Sequence, residues 1–260
     1  MNSELVILKD QFWLENQIHA GKCICDIFKK CSYAISNIDN LSLIDLEKIA
    51  IWTLKEYNCT ATFLNYDGFP SAICASVNKA LVHGIVTDYV LQPGDVVSVD
   101  VGATYNGAIA DAARTWIYGP AKCKQHEELL KVCQLALKAG QDAVRVGNRL
   151  GSIGNAINKV VSKSGFGLIT EYGGHGMNLN TPHAQPFVAN KQAPNSGIRI
   201  TNGLSIAIEP MAVIGSSKTK VGTDGNTVFT NDIGCHFENS VTVMEDAVYI
   251  ITEIEGQSEN

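Results

Sequence analysis

Four stretches of the chain repeat apolar residues every three or four positions, which is the spacing of an amphipathic helix. They cover roughly residues 4–31, 42–58, 124–144 and 150–164. The second stretch begins at Ser42, with Asp45 three residues later, and this spacing is typical of a capping box. Gly165 follows the fourth stretch as a helix stop signal. The pattern therefore predicts four helices.

Other stretches alternate apolar and polar residues with the period of two that is typical of strands. We predict strands only within roughly residues 72–86, 95–117, 203–214 and 237–253. Two helices thus precede a strand-rich stretch, and two more helices precede another. Such segregated runs predict an α+β fold with a mostly antiparallel sheet, and the repeated order hints at internal pseudo-symmetry. Because no segment resembles a linker, we expect a single domain over residues 1–260.

A pair of aspartates stands out in the predicted strand region of residues 95–117. Asn106 and Gly107 form a strong two-residue hairpin signal, and a type I′ turn there places Asp100 opposite Ala113. Asp100 and Asp111 then become diagonal neighbours on one sheet face, with Cα atoms roughly 7–8 Å apart. Two such carboxylates repel each other, and a cation between them would remove the cost. An exposed, solvated acidic face is the alternative that this segment leaves open.

Three further residues extend the acidic pattern. Glu209 and Glu238 lie on polar faces of the later strands, and His175 stands between two glycines. Four carboxylates and one imidazole suit two divalent ions, because four negative charges balance four positive ones. Oxygen-rich ligation with one histidine favours Mn²⁺, Fe²⁺ or Co²⁺ without excluding Zn²⁺. Two ions about 3.5–4 Å apart can hold a shared hydroxide and polarise a carbonyl, so the pattern indicates hydrolysis.

Two more histidines are candidates for the same site. His83 follows the first run of strand residues at a glycine-marked turn, and His183 comes eight residues after His175. A neutral imidazole can hydrogen-bond a reacting amide or a developing oxyanion. Spacing alone leaves each histidine open between that role and a structural one.

Composition limits the classes of function. Of the 260 residues, 45% are hydrophobic and 18% are charged, which is typical of a globular domain with a large core. The net charge of −6 argues against nucleic-acid binding. The chain has no apolar run of membrane-spanning length and no signal-peptide pattern, so we expect a cytoplasmic protein without a membrane partner. In that compartment the eight cysteines are expected to be buried thiols rather than disulfides or zinc ligands.

Several motifs stand in the order found in one known family. They are NYDGFPSAICASVN from Asn65, VHGI from Val82, VDV from Val99 with Asp111 following, GHG around His175, IEPM from Ile208 and FE from Phe237. On these motifs the chain resembles the type I methionine aminopeptidases of the short form, which lack an N-terminal zinc-binding extension. The resemblance covers nearly the whole chain. It implies the pita-bread fold, an antiparallel sheet with pseudo-two-fold symmetry flanked by helix pairs.

The resemblance also implies a set of metal ligands. The family's ligand positions fall on Asp100, Asp111, His175, Glu209 and Glu238. Asp111 and Glu238 would bridge two divalent ions, which could be Co, Mn, Fe or Zn. Asp100 would hold one ion, and His175 with Glu209 the other. A shared hydroxide would attack the scissile carbonyl after the substrate amine docks, with Glu209 accepting and passing on the proton.

The same resemblance implies a substrate site for N-terminal methionine. His83 would contact the scissile nitrogen, and His183 the carbonyl oxygen. The residues expected to line the methionine pocket are Phe63, Tyr66, Phe69 and Cys74. The implied substrates are N-termini of nascent polypeptides near the ribosome, preferably with a small second residue, and the implied state is a monomer.

Four residues depart from the family's pattern. His183 follows Pro182, where an aromatic residue is usual, and comes one position later than the family's second histidine. Asn226 replaces a pocket tryptophan, His236 stands where glutamine is common, and Asn239 stands where histidine is usual. These changes leave the ligand set intact and bear on specificity and rate.

Two other functions stay open at this point. X-Pro aminopeptidases and prolidase-like enzymes share the ligand set and the fold, but they usually carry an additional N-terminal domain, for which we expect no room in this chain. A non-catalytic pita-bread protein that binds peptides generally lacks some of the ligands, whereas this chain has all five.

Overall fold

Residues 6–253 are described by a computed structural model, and four α-helices form within them. They are α1 (Gln11–Asn37), α2 (Leu43–Glu56), α3 (Lys124–Asp142) and α4 (Gly151–Val161). The predicted helices and the capping box of Ser42 and Asp45 are confirmed. However, α1 begins later than predicted, because the Asp10 side chain accepts a hydrogen bond from the Trp13 amide and caps the helix there. The predicted positions 4 and 5 lie outside the described residues.

Fifteen strands lie within the same residues. In chain order they are β1 (Thr60–Ala61), β2 (Cys74–Val77), β3 (Ala80–Val82), β4 (Val96–Tyr105), β5 (Ala108–Ile117), β6 (Gly167–Leu168), β7 (Gly173–Asn178), β8 (Thr181–Ala189), β9 (Ser205–Ile208), β10 (Met211–Val213), β11 (Thr219–Val221), β12 (Val228–Thr230), β13 (Gly234–His236), β14 (Asn239–Met244) and β15 (Ala247–Ile250).

The strands form two larger sheets and two small ones. In the first larger sheet β4 pairs with β5 on one side and with β2 and β1 on the other. The second has the order β15-β14-β9-β7-β8. The small sheets are β13-β10-β6 and β11-β12-β3. All these ladders are antiparallel, which confirms the predicted α+β class.

The hairpin of β4 and β5 has the predicted register. Asp100 pairs with Ala113, and Gly102 pairs with Asp111. Asn106 has a φ of 48°, the left-handed conformation that a type I′ turn requires. The face that carries the two aspartates is nevertheless not solvated, because Asp111 is only 2% exposed. The alternative of an exposed acidic face is therefore wrong.

The two larger sheets meet where β5 passes the start of β14. The Glu238 amide donates to the Ala113 carbonyl at 3.0 Å, and the Ala113 amide donates back to the Glu238 carbonyl at 3.4 Å. The buried Arg114 guanidinium donates to the carbonyls of Glu238 and Thr252. This junction brings acidic residues of both sheets to one place.

The prediction that strands occur in only four stretches is wrong. β7 and β8 form a long hairpin between α4 and β9, where the sequence shows no alternation. β7 is rich in glycine because it packs tightly, and a Cβ atom on Gly174 would collide with the Ala207 carbonyl oxygen in β9. β8 contains Pro182 and Pro186, which argue against a strand in a sequence pattern. The strands β1, β6, β11, β12 and β13 have three residues or fewer, too few for a periodicity.

Each helix pair packs into one of two main hydrophobic cores. Phe28 of α1 and Leu46 of α2 join Val99 of β4 in the first core. Ile157 of α4 joins Ile208 of β9 in the second. Each larger sheet is therefore covered by two helices, which agrees with the predicted pseudo-symmetry.

The cysteine expectation holds with an exception. All eight cysteines are free thiols: six are buried and Cys25 is half-buried, whereas Cys123 is exposed at the start of α3. Its expected burial is therefore wrong, because the N-cap of this helix faces solvent.

Within residues 6–253, no helix combines the length and the apolar character needed to cross a bilayer.

Candidate active site

Five predicted side chains converge at the junction of the two larger sheets. They are Asp100 of β4, Asp111 of β5, His175 of β7, Glu209 directly after β9 and Glu238 directly before β14. The His175 Nε2 atom is 3.8 Å from Asp111 Oδ2 and 3.9 Å from Glu209 Oε1. Glu238 Oε1 lies 3.7 Å from the same nitrogen. Residues that are distant in the chain thus face one another across a few ångströms.

Local backbone contacts aim these side chains. Pro210 cannot donate a ladder hydrogen bond, so β9 ends at the point where Glu209 turns into the junction. The Asn190 side chain donates through Nδ2 to the Glu209 carbonyl at 3.1 Å. The Asp111 amide donates to the Ser240 hydroxyl oxygen, and that hydroxyl donates to the Asp111 carbonyl, both at 2.8 Å. These bonds tie the acidic residues to the second sheet.

Three of the carboxylates each have one buried oxygen atom without a hydrogen bond. Asp100 Oδ1, Asp111 Oδ1 and Glu238 Oε1 are buried and accept no hydrogen bond from any described residue. Burial raises the pKa of Asp111 well above its usual value, and the neighbouring Asp100 raises it further. Burial also raises the pKa of Glu238, to which Asp111 adds, and the pKa of Asp100, to which Glu209 adds. Such a group is costly without added positive charge.

Glu209 differs from the other three acids. Burial alone would raise its pKa, but nearby His236, together with His175 and His183, brings the pKa below its usual value. The His236 Nε2 atom lies 3.1 Å from Glu209 Oε2. Glu209 is therefore held ionised.

The donor atoms suit divalent cations. Three sets each bring their donor atoms within 4.8 Å of one another, namely Asp100 with His236 and Glu238, His175 with Glu209 and Glu238, and Asp111 with His175 and His183. Two ligands of one ion at bond lengths of about 2.1 Å lie about 3–3.5 Å apart, so small side-chain shifts would complete a site. The uncompensated carboxylate oxygens and the imidazoles therefore fit a metal centre.

The two other predicted histidines flank this centre. The His183 ring lies 4.7 Å from the His175 ring and 5.6 Å from the Tyr66 ring. Burial lowers the pKa of His183 to about 4, with nearby His175 adding to the effect. Burial also lowers the pKa of His83, whose ring lies edge-on to Tyr172. Both imidazoles are thus neutral near pH 7.

A cavity of about 220 Å³ opens beside the five predicted ligands. Its lining residues are Phe63, Tyr66, Asp67, Phe69, Cys74, His83, Asp100, Asp111, His175, His183, Glu209, Asn226, His236 and Glu238. The predicted pocket residues therefore share one cavity with the predicted ligands. Gly102 makes this possible, because a Cβ atom there would collide with the Phe63 ring.

Sequence reasoning did not include His236 or Asp67 in the site. In the sequence His236 stands out only as a departure from the family pattern, yet it lies two residues before Glu238 and so faces the same way in an extended chain. The alternation could therefore have indicated it. Asp67 lines the cavity without any pattern in the sequence that would indicate this.

Comparison with known proteins identifies the family. The model of metallopeptidase family M24 matches residues 17–245. The methionine aminopeptidase of Mycoplasma capricolum is 35% identical over 253 residues, which span 96% of this chain and 100% of that protein. Methionine aminopeptidase 1 of Mycobacterium tuberculosis is 40% identical over 220 residues, or 81% of this chain and 82% of that protein. The chain therefore belongs to metallopeptidase family M24.

A solved structure agrees with this assignment. The crystal structure of methionine aminopeptidase from Thermotoga maritima superposes with a TM-score of 0.91 at 31% identity, covering 96% of this chain and 100% of that one. The fold is the pita-bread fold expected from the sequence. Membership of a metallopeptidase family implies that the chain uses divalent metal, in keeping with the donor sets at the sheet junction.

Proposed function

We propose that this chain is a methionine aminopeptidase, which hydrolyses the first peptide bond of a polypeptide that begins with methionine. The observation that carries the proposal is the convergence of three uncompensated buried carboxylates with His175 beside an apolar-walled cavity. The relatives named methionine aminopeptidase, which align over most of their length, support the same activity.

The metal centre in this proposal holds two divalent ions, drawn from Co, Mn, Fe and Zn. The proposed ligands are Asp100, Asp111, His175, Glu209 and Glu238. Asp111 and Glu238, which come from the two sheets that meet at the centre, would be shared between the ions. When bound, such ions polarise a carbonyl and lower the pKa of a water molecule.

The chain's own residues would manage the proton and the developing charge. Glu209, held ionised, would accept a proton and return it to the leaving amine. His183, with a pKa of about 4, would stay neutral and donate a hydrogen bond to the carbonyl oxygen. His83 would contact the scissile nitrogen.

The cavity walls suit a methionine side chain. Phe63, Phe69 and Cys74 form a small apolar cluster, and Tyr66 lies beside them in the lining. A thioether packs well against aromatic rings and sulfur. His183 lines the cavity and is also partly exposed to solvent, which places it at the opening, where it would favour a small second residue.

The cellular setting belongs to the same proposal. The chain would act in the cytoplasm on nascent polypeptides near the ribosome, as a single-domain monomer that binds no nucleic acid. The net charge of −6 supports the absence of a nucleic-acid partner. Light scattering of the purified protein measures the monomeric state.

The test of the activity uses purified protein loaded with Mn²⁺ or Co²⁺. We expect methionine release from Met-Ala-Ser and Met-Gly-Met, and release from Met-Ala-Ser at least about tenfold faster than leucine release from the matched Leu-Ala-Ser. Faster cleavage of a peptide with proline as its second residue than of Met-Ala-Ser would contradict the proposal in favour of an X-Pro aminopeptidase. Absence of cleavage with every divalent ion would contradict it in favour of a peptide-binding protein.

A further inference from the structure

His236 presents a second imidazole to the glutamates of the proposed metal centre. Its Nε2 atom is 3.1 Å from Glu209 Oε2 and 3.8 Å from Glu238 Oε2. His175 faces the other oxygen of each, at 3.9 Å from Glu209 Oε1 and 3.7 Å from Glu238 Oε1. Each glutamate thus turns one oxygen toward each histidine. The geometry that makes His175 a candidate ligand is repeated on the opposite side.

The backbone of His236 is held firmly in this position. Its amide donates to Thr115 Oγ1 at 3.1 Å, and the Thr115 hydroxyl donates to the His236 carbonyl at 2.7 Å. β13 also pairs His236 with Met211. Contacts with β5 of the first larger sheet and with β10 of a small sheet therefore hold the imidazole toward the glutamates.

The ring itself lacks hydrogen bonds. His236 is only 2% exposed, and neither ring nitrogen has a hydrogen-bond partner among the described residues. The Nε2 atom lies near Glu209 Oε2 without forming a hydrogen bond to it. A buried imidazole whose nitrogens form no hydrogen bond is costly, so native proteins normally satisfy these atoms. A cation bound through a ring nitrogen would satisfy it.

We propose that His236 is a direct metal ligand, so that each of the two ions has one imidazole. This rests on the metal pair of the proposed function. The buried donor atoms of Asp100, His236 and Glu238 would hold one ion, while His175 and Glu209 would serve the other together with Glu238. Asp111 would be shared between the ions, as in the proposed function. Imidazole binds the later first-row metals more strongly than it binds Mn²⁺. The second imidazole therefore favours Co²⁺ or Zn²⁺ over Mn²⁺.

The test measures metal binding rather than turnover. Metal-free wild-type protein, His236→Gln and the matched control His83→Gln are titrated with Co²⁺ and with Mn²⁺ by calorimetry, and the visible spectrum of bound Co²⁺ is recorded. We expect His236→Gln to weaken Co²⁺ binding at one site by about tenfold or more, to alter the Co²⁺ spectrum, and to change Mn²⁺ binding less. His83→Gln should leave both affinities unchanged, because His83 belongs to none of the donor sets.

The outcomes separate this inference from the proposed function. Unchanged Co²⁺ affinity and spectrum in a folded His236→Gln would overturn the inference, leaving His236 as a residue that only positions Glu209. Absence of Co²⁺ binding to the wild type would overturn the metal centre itself. If His236→Gln does not fold, X-ray absorption of the Zn²⁺-loaded wild type decides: two ligating histidines give an average of one imidazole per ion, and His175 alone gives half of one.

Discussion

At the scale of single residues, the buried acids of the site lower the stability of the metal-free protein. Asp111 and Glu238 are almost fully buried, and each has a carboxylate oxygen without a hydrogen bond from the described residues. Their charges are favourable only when positive charge lies between them. Removing one charge should therefore stabilise the metal-free protein while weakening metal binding.

Asp100→Asn tests both effects, on the stability of the metal-free protein and on metal binding. We expect the substitution to raise the free energy of unfolding of the metal-free protein by about 1–3 kcal/mol, because it removes one of several crowded buried charges. It should also abolish the additional stability that Mn²⁺ or Co²⁺ gives to the wild type. Urea unfolding with and without metal measures both effects.

A matched control is Asp45→Asn, at the start of α2. The hydrogen bond from Ser42 lowers the pKa of Asp45, so this carboxylate stabilises the fold. Asp45→Asn should destabilise the protein equally with and without metal. A metal-free Asp100→Asn that is also less stable than wild type would contradict the account of the site.

The difference in unfolding free energy between metal-free Asp100→Asn and metal-free wild type depends on pH with a defined sign. Burial raises the pKa of Asp100, so the folded protein keeps this proton to a higher pH than the unfolded chain, in which aspartate titrates near about 4. Metal-free wild type therefore loses stability as pH rises from about 4 toward the raised pKa, whereas asparagine does not titrate. The advantage of Asp100→Asn should therefore grow as pH rises from about 4 toward the raised pKa. A difference that shrinks with pH in urea unfolding would show that Asp100 has no raised pKa.

At the scale of elements, β7 positions His175 through close contact with its neighbours. A Cβ atom on Gly174 would collide with the Ala207 carbonyl, and one on Gly176 with the Gln185 carbonyl. The two glycines beside His175 therefore allow β7 to lie close to β8 and β9. Crowding at either position should displace the histidine as well as the strand.

Gly174→Ala tests this dependence. We expect a loss of about 1–3 kcal/mol in the free energy of unfolding, because backbone must move to admit the methyl group. Metal affinity should fall too, since His175 is the next residue. Gly165→Ala is the control: its surroundings are open but its φ is +82°, so it should lose stability through strain alone and keep its metal affinity. Unchanged metal affinity in Gly174→Ala, measured by calorimetry, would contradict the proposed role of β7.

At the scale of the whole molecule, the site exists only because the two halves are joined. Arg114 of β5 is buried and donates to the Glu238 carbonyl at 2.6 Å, to Asn239 Oδ1 at 2.8 Å and to the Thr252 carbonyl at 2.8 Å. One side chain thus satisfies acceptors on the second sheet beside a proposed ligand. Its removal would leave those acceptors buried without a partner.

Arg114→Leu should therefore be costly. We expect a loss of about 3–5 kcal/mol in the free energy of unfolding, and weaker metal binding because the segment of Glu238 is released. Arg114→Lys keeps the charge but not the planar donor fork, so its loss should be smaller. Urea unfolding of both variants checks this order. A change of less than about 1 kcal/mol for Arg114→Leu would show that this arginine does not hold the halves together.

The parts of this architecture that the sequence predicts are those encoded locally. The turn at Asn106 and the alternation of β4 specify how Asp100 and Asp111 lie in their hairpin, and the observed register agrees. The sequence does not predict the strand that carries His175, because its glycines are required by close contacts with residues far away in the chain and not by a local periodicity. The contact of Glu238 with Ala113 likewise depends on how two sheets meet. The acidic pattern groups these distant residues by their chemistry, and the family resemblance assigns them to one metal site, but neither gives the geometry of their contact.

The most direct test of the central claim is anomalous diffraction from crystals of the protein grown with Mn²⁺. The account predicts two manganese peaks about 3.5–4 Å apart at the sheet junction. The expected ligands are Asp100, Asp111, His175, Glu209 and Glu238, with His236 added if the further inference holds. Manganese found elsewhere, or these acids turned away from one another around water alone, would contradict it.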